Sequence, residues 1–308
     1  MKIRLLTLTL ILLTVPVLIL TGCKKEEQTP ATTEKPAVAA TALNVVVDSV
    51  RSDDGVMIYY DVRGQGDKNL VFVHGWGCDR SIWQNQVDEF AKDYRVVTID
   101  LAGHGQSGHG RTRWTMAAFG ADVAAVCNKL KLQNTVLIGH SMGGPVILEA
   151  ARRLPGRLVG LVGVDNFQDF GGTPSKEAAT KFADKFKPDF PKAAELFARS
   201  MFPPTADSAM VARVAHKMAS EPANIGIEAL TATMMYDYKP ALAEVRLPIR
   251  TISSDQYPTF IDANNKIAAS FAVRIMHGTG HFPHLVDPPT FNRLLQETLA
   301  DFWPPAGK

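Results

Sequence analysis

Short apolar runs alternate along this chain with stretches in which apolar residues recur every three or four positions. Residues 45–51 and 56–63 predict two paired strands, joined by the turn cluster Ser52-Asp53-Asp54-Gly55. Leu70-Val71-Phe72-Val73 predicts a buried strand that ends in His74-Gly75-Trp76-Gly77. A polar and aromatic helical stretch follows, from about Ser81 to Lys92. Residues 95–100 predict the next strand, which ends at Asp100 and enters the loop Leu101-Ala102-Gly103-His104-Gly105-Gln106-Ser107-Gly108. Helical spacing over residues 115–130, a strand at 135–138, a helix from Gly144 and a strand at 158–164 ending at Asp165 continue the alternation. Strands alternating with helices imply βαβ units and a mostly parallel sheet.

The alternation then breaks. Residues 166–245 are rich in Lys, Ala, Met and Phe and contain no convincing buried strand, so they predict a helical insertion. The Met and Phe residues there, among them Phe182, Phe197, Met201, Phe202, Met218 and Met234, are expected to form its core, with a few facing a ligand. Strands resume at 248–252 and 272–276, and a closing helix runs over about 289–302. Asp287 before Pro288-Pro289 suits a helix N-cap followed by proline in the first turn. The expected organisation is a core made of residues 45–165 and 246–308, interrupted by a helical insertion over residues 166–245.

The N-terminus has a different character. Lys2 and Arg4 precede an uncharged apolar run from Leu5 to Leu20 that contains Pro16. That run is short for a membrane-spanning helix and suits the core of an export signal. Leu20-Thr21-Gly22-Cys23 looks like the lipobox of bacterial lipoproteins, in which the cysteine is lipidated and becomes the new N-terminus. Residues 1–23 are therefore expected to be a lipoprotein signal peptide, with Cys23 as the lipidation site. Lys24 follows where an aspartate would favour inner-membrane retention, so the expected location is a lipid anchor on the periplasmic or cell-surface side, with the outer membrane favoured. Residues 24–44 mix Lys, Glu, Thr, Pro and Ala with few large apolar side chains and read as a flexible tether.

Composition adds two constraints. The formal net charge of +2 is supplied by Lys2 and Arg4, so the remainder is near neutral. That removes any electrostatic case for nucleic acid or an anionic membrane surface. The spacing of Cys78 and Cys127 argues for no disulfide, and buried free thiols are expected.

The chemistry centres on Gly139-His140-Ser141-Met142-Gly143, between an apolar strand and the first turns of a helix. A serine on a sharp strand-to-helix turn has its hydroxyl forced outward, at the positive end of the helix dipole. Glycines two before and two after it relieve the crowding of a tight turn. Ser141 is thus placed to be a nucleophile.

Five features together make the chain resemble the α/β-hydrolase superfamily over nearly all of residues 45–302: the His74-Gly75-Trp76-Gly77 segment, the Asp100–Gly108 loop, the Ser141 elbow, the helical insertion after the sixth strand, and Gly280-His281-Phe282-Pro283-His284-Leu285-Val286-Asp287-Pro288. The order and spacing are similar to small lidded esterases and lactonases. The resemblance implies an α/β-hydrolase fold, with a mostly parallel eight-stranded sheet flanked by helices and a lid after strand 6. It implies Ser141 as nucleophile, His281 as general base, and backbone N–H groups of Trp76 and Met142 as the oxyanion hole. His74, Gly75 and His140 are expected to shape the substrate pocket. His277 and His284 are rivals to His281, with His284 expected to support the loop. The acid lies between serine and histidine in the order of this superfamily. Asp255, after the seventh strand, holds the usual position, although its segment is a residue or two shorter than the common pattern and lacks the usual glycine. Asp165, at the end of the sixth strand, and Asp262 are the alternatives.

The expected activity is hydrolysis of a small or medium, largely uncharged carboxylic ester or lactone through an acyl-enzyme, with no cofactor and no metal. Few carboxylates lie near the histidine cluster in sequence and no His-Glu-x-x-His pattern occurs. Carbon–carbon bond hydrolysis, thioester hydrolysis, perhydrolysis and acyl transfer on the same triad stay open, as does a tethered binding protein that has lost activity. Serine at the elbow argues against epoxide and haloalkane chemistry, which related enzymes run with aspartate there.

Overall fold

The computed structural model describes residues 45–303. The expected signal peptide, Cys23, the tether and residues 304–308 lie outside the described residues. Eight strands form one sheet: β1 (Val46–Arg51), β2 (Met57–Arg63), β3 (Asn69–Val73), β4 (Arg95–Ile99), β5 (Thr135–His140), β6 (Leu158–Val164), β7 (Ile249–Ser254) and β8 (Phe271–Met276), in the spatial order β1-β2-β4-β3-β5-β6-β7-β8. β2 is antiparallel to both β1 and β4, and every later pairing is parallel.

Burial follows position in the sheet. The central strands β3 and β5 are buried at every residue, as strands covered on both faces must be, and this is why they read as unbroken apolar runs. β2 alternates half-buried and buried residues, and the edge strand β1 is mostly exposed. Helices α1 (Gln84–Phe90), α2 (Met116–Lys129) and α3 (Gly143–Arg152) follow β3, β4 and β5 as crossover elements. α2 packs on α3. Between β6 and β7 lie α4 (Lys176–Ala183), α5 (Phe190–Ser200), α6 (Ser208–Ala219), α7 (Ala223–Met234) and α8 (Tyr238–Glu244). Side chains of Ser175, Asp189, Asp207 and Asp237 accept main-chain N–H groups at the starts of α4, α5, α6 and α8.

After β7 come α9 (Ile261–Asn265), β8, α10 (Pro283–Val286) and α11 (Pro288–Ala300). Asp287 caps α11, accepting from Thr290 N–H at 3.2 Å with two prolines in the first turn. Two short helices, α9 and α10, have no counterpart in the sequence-based expectation. The helix expected over about Ser81–Lys92 is instead a 3₁₀ turn, Arg80–Trp83, followed by α1. Asp79 caps the 3₁₀ turn by accepting the Ser81 N–H. Cys78 and Cys127 are buried free thiols, and burial pushes Cys127 up to about 12.

The parallel strands end on one side of the sheet. His74, Asp100, Ser141, Asp165 and Asp255 each follow a strand directly, so the sheet delivers all five to its carboxyl edge, where open α/β sheets hold their ligands.

Candidate active site

Ser141 follows β5 with φ +52, in the left-handed region that disfavours a side chain. Its N–H donates to the Val164 carbonyl at 3.0 Å, which ties the elbow to the end of β6. The neighbouring glycines are required by contact. A Cβ on Gly143 would lie 2.7 Å from the Val73 carbonyl oxygen, and one on Gly139 would collide with the Gly143 carbonyl. Asn166 braces the turn from outside, donating from Nδ2 to the Gly139 carbonyl (2.7 Å) and the Ser141 carbonyl (3.1 Å).

His281 stands over this elbow. Its Nε2 is 2.8 Å from Ser141 Oγ, and its Nδ1 is 2.6 Å from Asp165 Oδ2. The second oxygen of Asp165 accepts the Ser254 N–H at 2.7 Å. A carboxylate cannot donate, so Nδ1 carries the proton and Nε2 is free to accept from the serine hydroxyl. The Asp165 side chain is 1% exposed and that of His281 18%. Burial alone pushes the Asp165 carboxyl up, but its hydrogen bond to His281, the attraction of that ring and the Ser254 N–H hold it below the ordinary value. Asp165 is therefore a carboxylate at neutral pH.

Contrary to expectation, Asp165 and not Asp255 contacts His281. Ser254 pairs with Met276 in the β7–β8 register, so Asp255 emerges beside the loop after β8. Its carboxylate accepts from the Gly278 N–H at 3.0 Å and lies 3.1 Å from Nδ1 of His277, whose side chain is 81% exposed. With no extra residues after β7, Asp255 has no reach back to His281. Asp262 is an exposed residue of α9, away from the histidine. The structure brings together Ser141, His281 and Asp165, on β5, the loop after β8 and β6.

The remaining expected residues divide. Trp76, His140, Ser141, Met142, His281 and Phe282 line one cavity of about 220 Å³, completed by Phe197, Met201, Met218 and Leu230 from the insertion and by Gln256 and Tyr257 from the loop after β7. Gly75 lies against the elbow: a Cβ there would be 3.1 Å from that of Ser141. His74 does not shape the pocket, contrary to expectation. It is fully buried, with Nδ1–H donating to the Gly75 carbonyl at 2.8 Å within its own loop and Nε2 accepting the Leu101 N–H at 3.0 Å, which joins that loop to the one after β4. His284 stacks on Trp83, 4.5 Å between centroids, beneath the site. Burial and the nearby His281 lower it to about 3.

The Trp76 and Met142 N–H groups donate to no protein acceptor among the described residues. The Trp76 indole N–H donates to the Gly226 carbonyl at 2.7 Å, which ties the loop after β3 to α7. A second cavity, about 390 Å³, opens on the other side of the same serine and histidine and is lined by Asp165, Asn166, Gln168 and Tyr236, with Thr233 and Tyr257 common to both. Asn166, Thr233, Gln256 and Tyr257 were not foreseen. Asn166 is next to a named candidate, and the other three carry no local signal. Among the described residues no cluster of His, Cys, Asp and Glu suits a metal ion.

Residues 70–294 match the alpha/beta hydrolase family. The chain belongs to that family. The α/β hydrolase is 36% identical over 118 residues to the dihydrolipoyllysine-residue acetyltransferase component of the acetoin cleaving system of Cupriavidus necator, covering 38% of this chain and 32% of that one. The chain thus spans about a third of that relative's length. It is 30% identical over 202 residues to the pimeloyl-[acyl-carrier protein] methyl ester esterase of Aliivibrio salmonicida, covering 62% of this chain and 75% of the relative. Among solved structures, Est816, described as an N-acyl homoserine lactone degrading enzyme, superposes with a TM-score of 0.68 at 25% identity, covering 81% of this chain and 99% of that one.

Proposed function

We propose that this α/β hydrolase cleaves small or medium carboxylic esters or lactones through an acyl-enzyme on Ser141. The observation that carries the reading is the unbroken hydrogen-bond line from Asp165 through His281 to Ser141, 2.6 Å and 2.8 Å. His281 Nε2 takes the hydroxyl proton as Oγ attacks the carbonyl carbon, and Asp165 holds the imidazole in the required tautomer and steadies the imidazolium. The backbone N–H groups of Met142 and Trp76 receive the negative oxygen, each contributing about 3 kcal/mol in the transition state. His281 then protonates the departing alcohol. Water attacks the acyl-enzyme with the same histidine as base, and Ser141 regains its proton.

The apolar lining of the 220 Å³ cavity supports an uncharged acyl group of modest size. The ester and lactone activities named for the relatives agree with this bond type. The sequence of residues 1–23 supports export and a lipid on Cys23, which acyl chains on that residue in the membrane fraction, seen by mass spectrometry, would bear out.

The test uses the full chain with a fluorophosphonate probe and p-nitrophenyl esters from acetate to octanoate. Labelling and turnover are expected, and both disappear in Ser141→Ala. A folded protein that neither labels nor turns over any of these esters would leave a binding protein as the better account.

A further inference from the structure

We propose that His140 is a positioning residue for the base: its Nε2–H holds the main-chain carbonyl of His281, which fixes the imidazole between Ser141 and Asp165. The inference rests on the hydrolytic reading above and adds a residue to it. His140 Nε2 lies 2.8 Å from the His281 carbonyl oxygen. A carbonyl only accepts, so this nitrogen carries the hydrogen and the tautomer is set.

The loop that carries His281 needs such a hold. The residue before it, Gly280, has φ +61, and the segment is a turn rather than a strand or helix. The His281 N–H donates to the Met201 carbonyl in the insertion at 2.9 Å. Its carbonyl has one protein donor among the described residues, His140. One main-chain group of the base is thus tied to the insertion and the other to the sheet. His140 is the last residue of β5 and buried, directly before the nucleophile. The same rigid strand end therefore sets both the hydroxyl and the backbone that carries its base.

The surroundings keep His140 in this role. Its ring packs against those of His281, Phe282 and His284 at 4.8–4.9 Å between centroids. Its Nδ1 faces Gly75, where a Cβ would stand 2.8 Å away, and has no partner among the described residues. Burial, reinforced by the nearby His284 and His281, lowers His140 well below the ordinary imidazole value, and it outweighs the hydrogen bond to the His281 carbonyl and the Asp165 charge, which pull the other way. His140 is therefore neutral when its neighbour takes a proton, and it neither competes for that proton nor repels the imidazolium.

Two variants of the full chain separate positioning from packing. His140→Phe keeps a ring against the same neighbours but has no donor, and His140→Gln restores an N–H at similar reach. With p-nitrophenyl butyrate, His140→Phe is expected to lose about 10²-fold in kcat with KM within about threefold, and to slow fluorophosphonate labelling equally. His140→Gln is expected to recover at least about tenfold of that loss. A residue that only fills space would give the reverse order, with Phe close to wild type, and that result overturns the proposal. If both variants fail to fold, the wild-type protein still decides: long-range ¹⁵N–¹H NMR should show His140 neutral and protonated at Nε2, and an Nδ1–H tautomer would refute the assignment. Wild-type protein without labelling or turnover would instead count against the hydrolytic reading itself.

Discussion

Replacing Asp165 with asparagine tests the site at its most informative point. Asp165 Oδ2 lies 2.6 Å from His281 Nδ1 and its side chain is 1% exposed, so little solvent screens the pair. When His281 takes the serine proton, the two charges sit about 4 Å apart, which at an effective dielectric of about 20 gives an attraction of about 4 kcal/mol. Losing that amount from the transition state lowers the rate about 10³-fold. Asparagine adds a second effect, because its amide can donate to Nδ1 and turn the ring to the tautomer with hydrogen on Nε2, which cannot accept from Ser141. Asp165→Asn is thus expected to reduce kcat by about 10³- to 10⁴-fold. Asp255→Asn breaks contacts with an exposed histidine and a loop N–H only, and is expected to stay within about threefold of wild type. The assay is steady-state hydrolysis of p-nitrophenyl butyrate by both variants, with thermal unfolding to verify that each is folded. An Asp165→Asn enzyme within tenfold of wild type, or a larger loss in Asp255→Asn, would refute the reasoning.

Two further outcomes are expected from the backbone at Ser141 and the burial of Glu221. Ser141 sits at φ +52, so Ser141→Gly should be more stable than Ser141→Ala by about 1 kcal/mol in denaturant unfolding, with both inactive. Glu221, between α6 and α7 and 3.4 Å from Nε2 of buried His104, is pushed up by burial to about 8 from an ordinary 4.5. The folded state then keeps a proton that the unfolded chain has lost, so stability should fall as pH rises from about 4.5 to 8, most cleanly above about 7, where His104, lowered mainly by burial to about 3 from an ordinary 6.5, is largely neutral in both states. Glu221→Gln should flatten that slope in urea titrations across the window.

Much of the architecture was legible because it depends on period and punctuation. β3, β5 and β6 are fully or nearly fully buried strands, and such strands appear in the chain as short unbroken apolar runs. The elbow was legible because its glycines are forced by contacts with Val73 and Gly143 that no other residue type relieves. What could not be read depends on register across strands distant in sequence. Asp165 and Asp255 both follow a strand and both end at the same edge. Only the pairing of Ser254 with Met276, which turns Asp255 toward His277, separates them. His74 was misplaced for a similar reason: its second partner is a main-chain N–H at Leu101, and such a contact leaves no trace in residue identity.

The contact of Asp165 with His281 also explains residues that the sequence did not single out. β5 and β6 are neighbours, and His140 pairs with Val164, so Ser141 and Asp165 are the next residues on two adjacent strands. The histidine needs only to bridge one strand spacing. A carboxylate at the end of β7 would stand one strand further out and would have to be carried back by a longer loop. Here the loop after β7 is released from that task. Asp255 fastens it to the turn after β8, and the next two residues, Gln256 and Tyr257, face the cavity over Ser141 instead. Tyr257 also borders the second cavity, together with Thr233 of α7. In the proposed triad, a single choice of strand for the acid thus leaves the loop after β7 free to line the cavity.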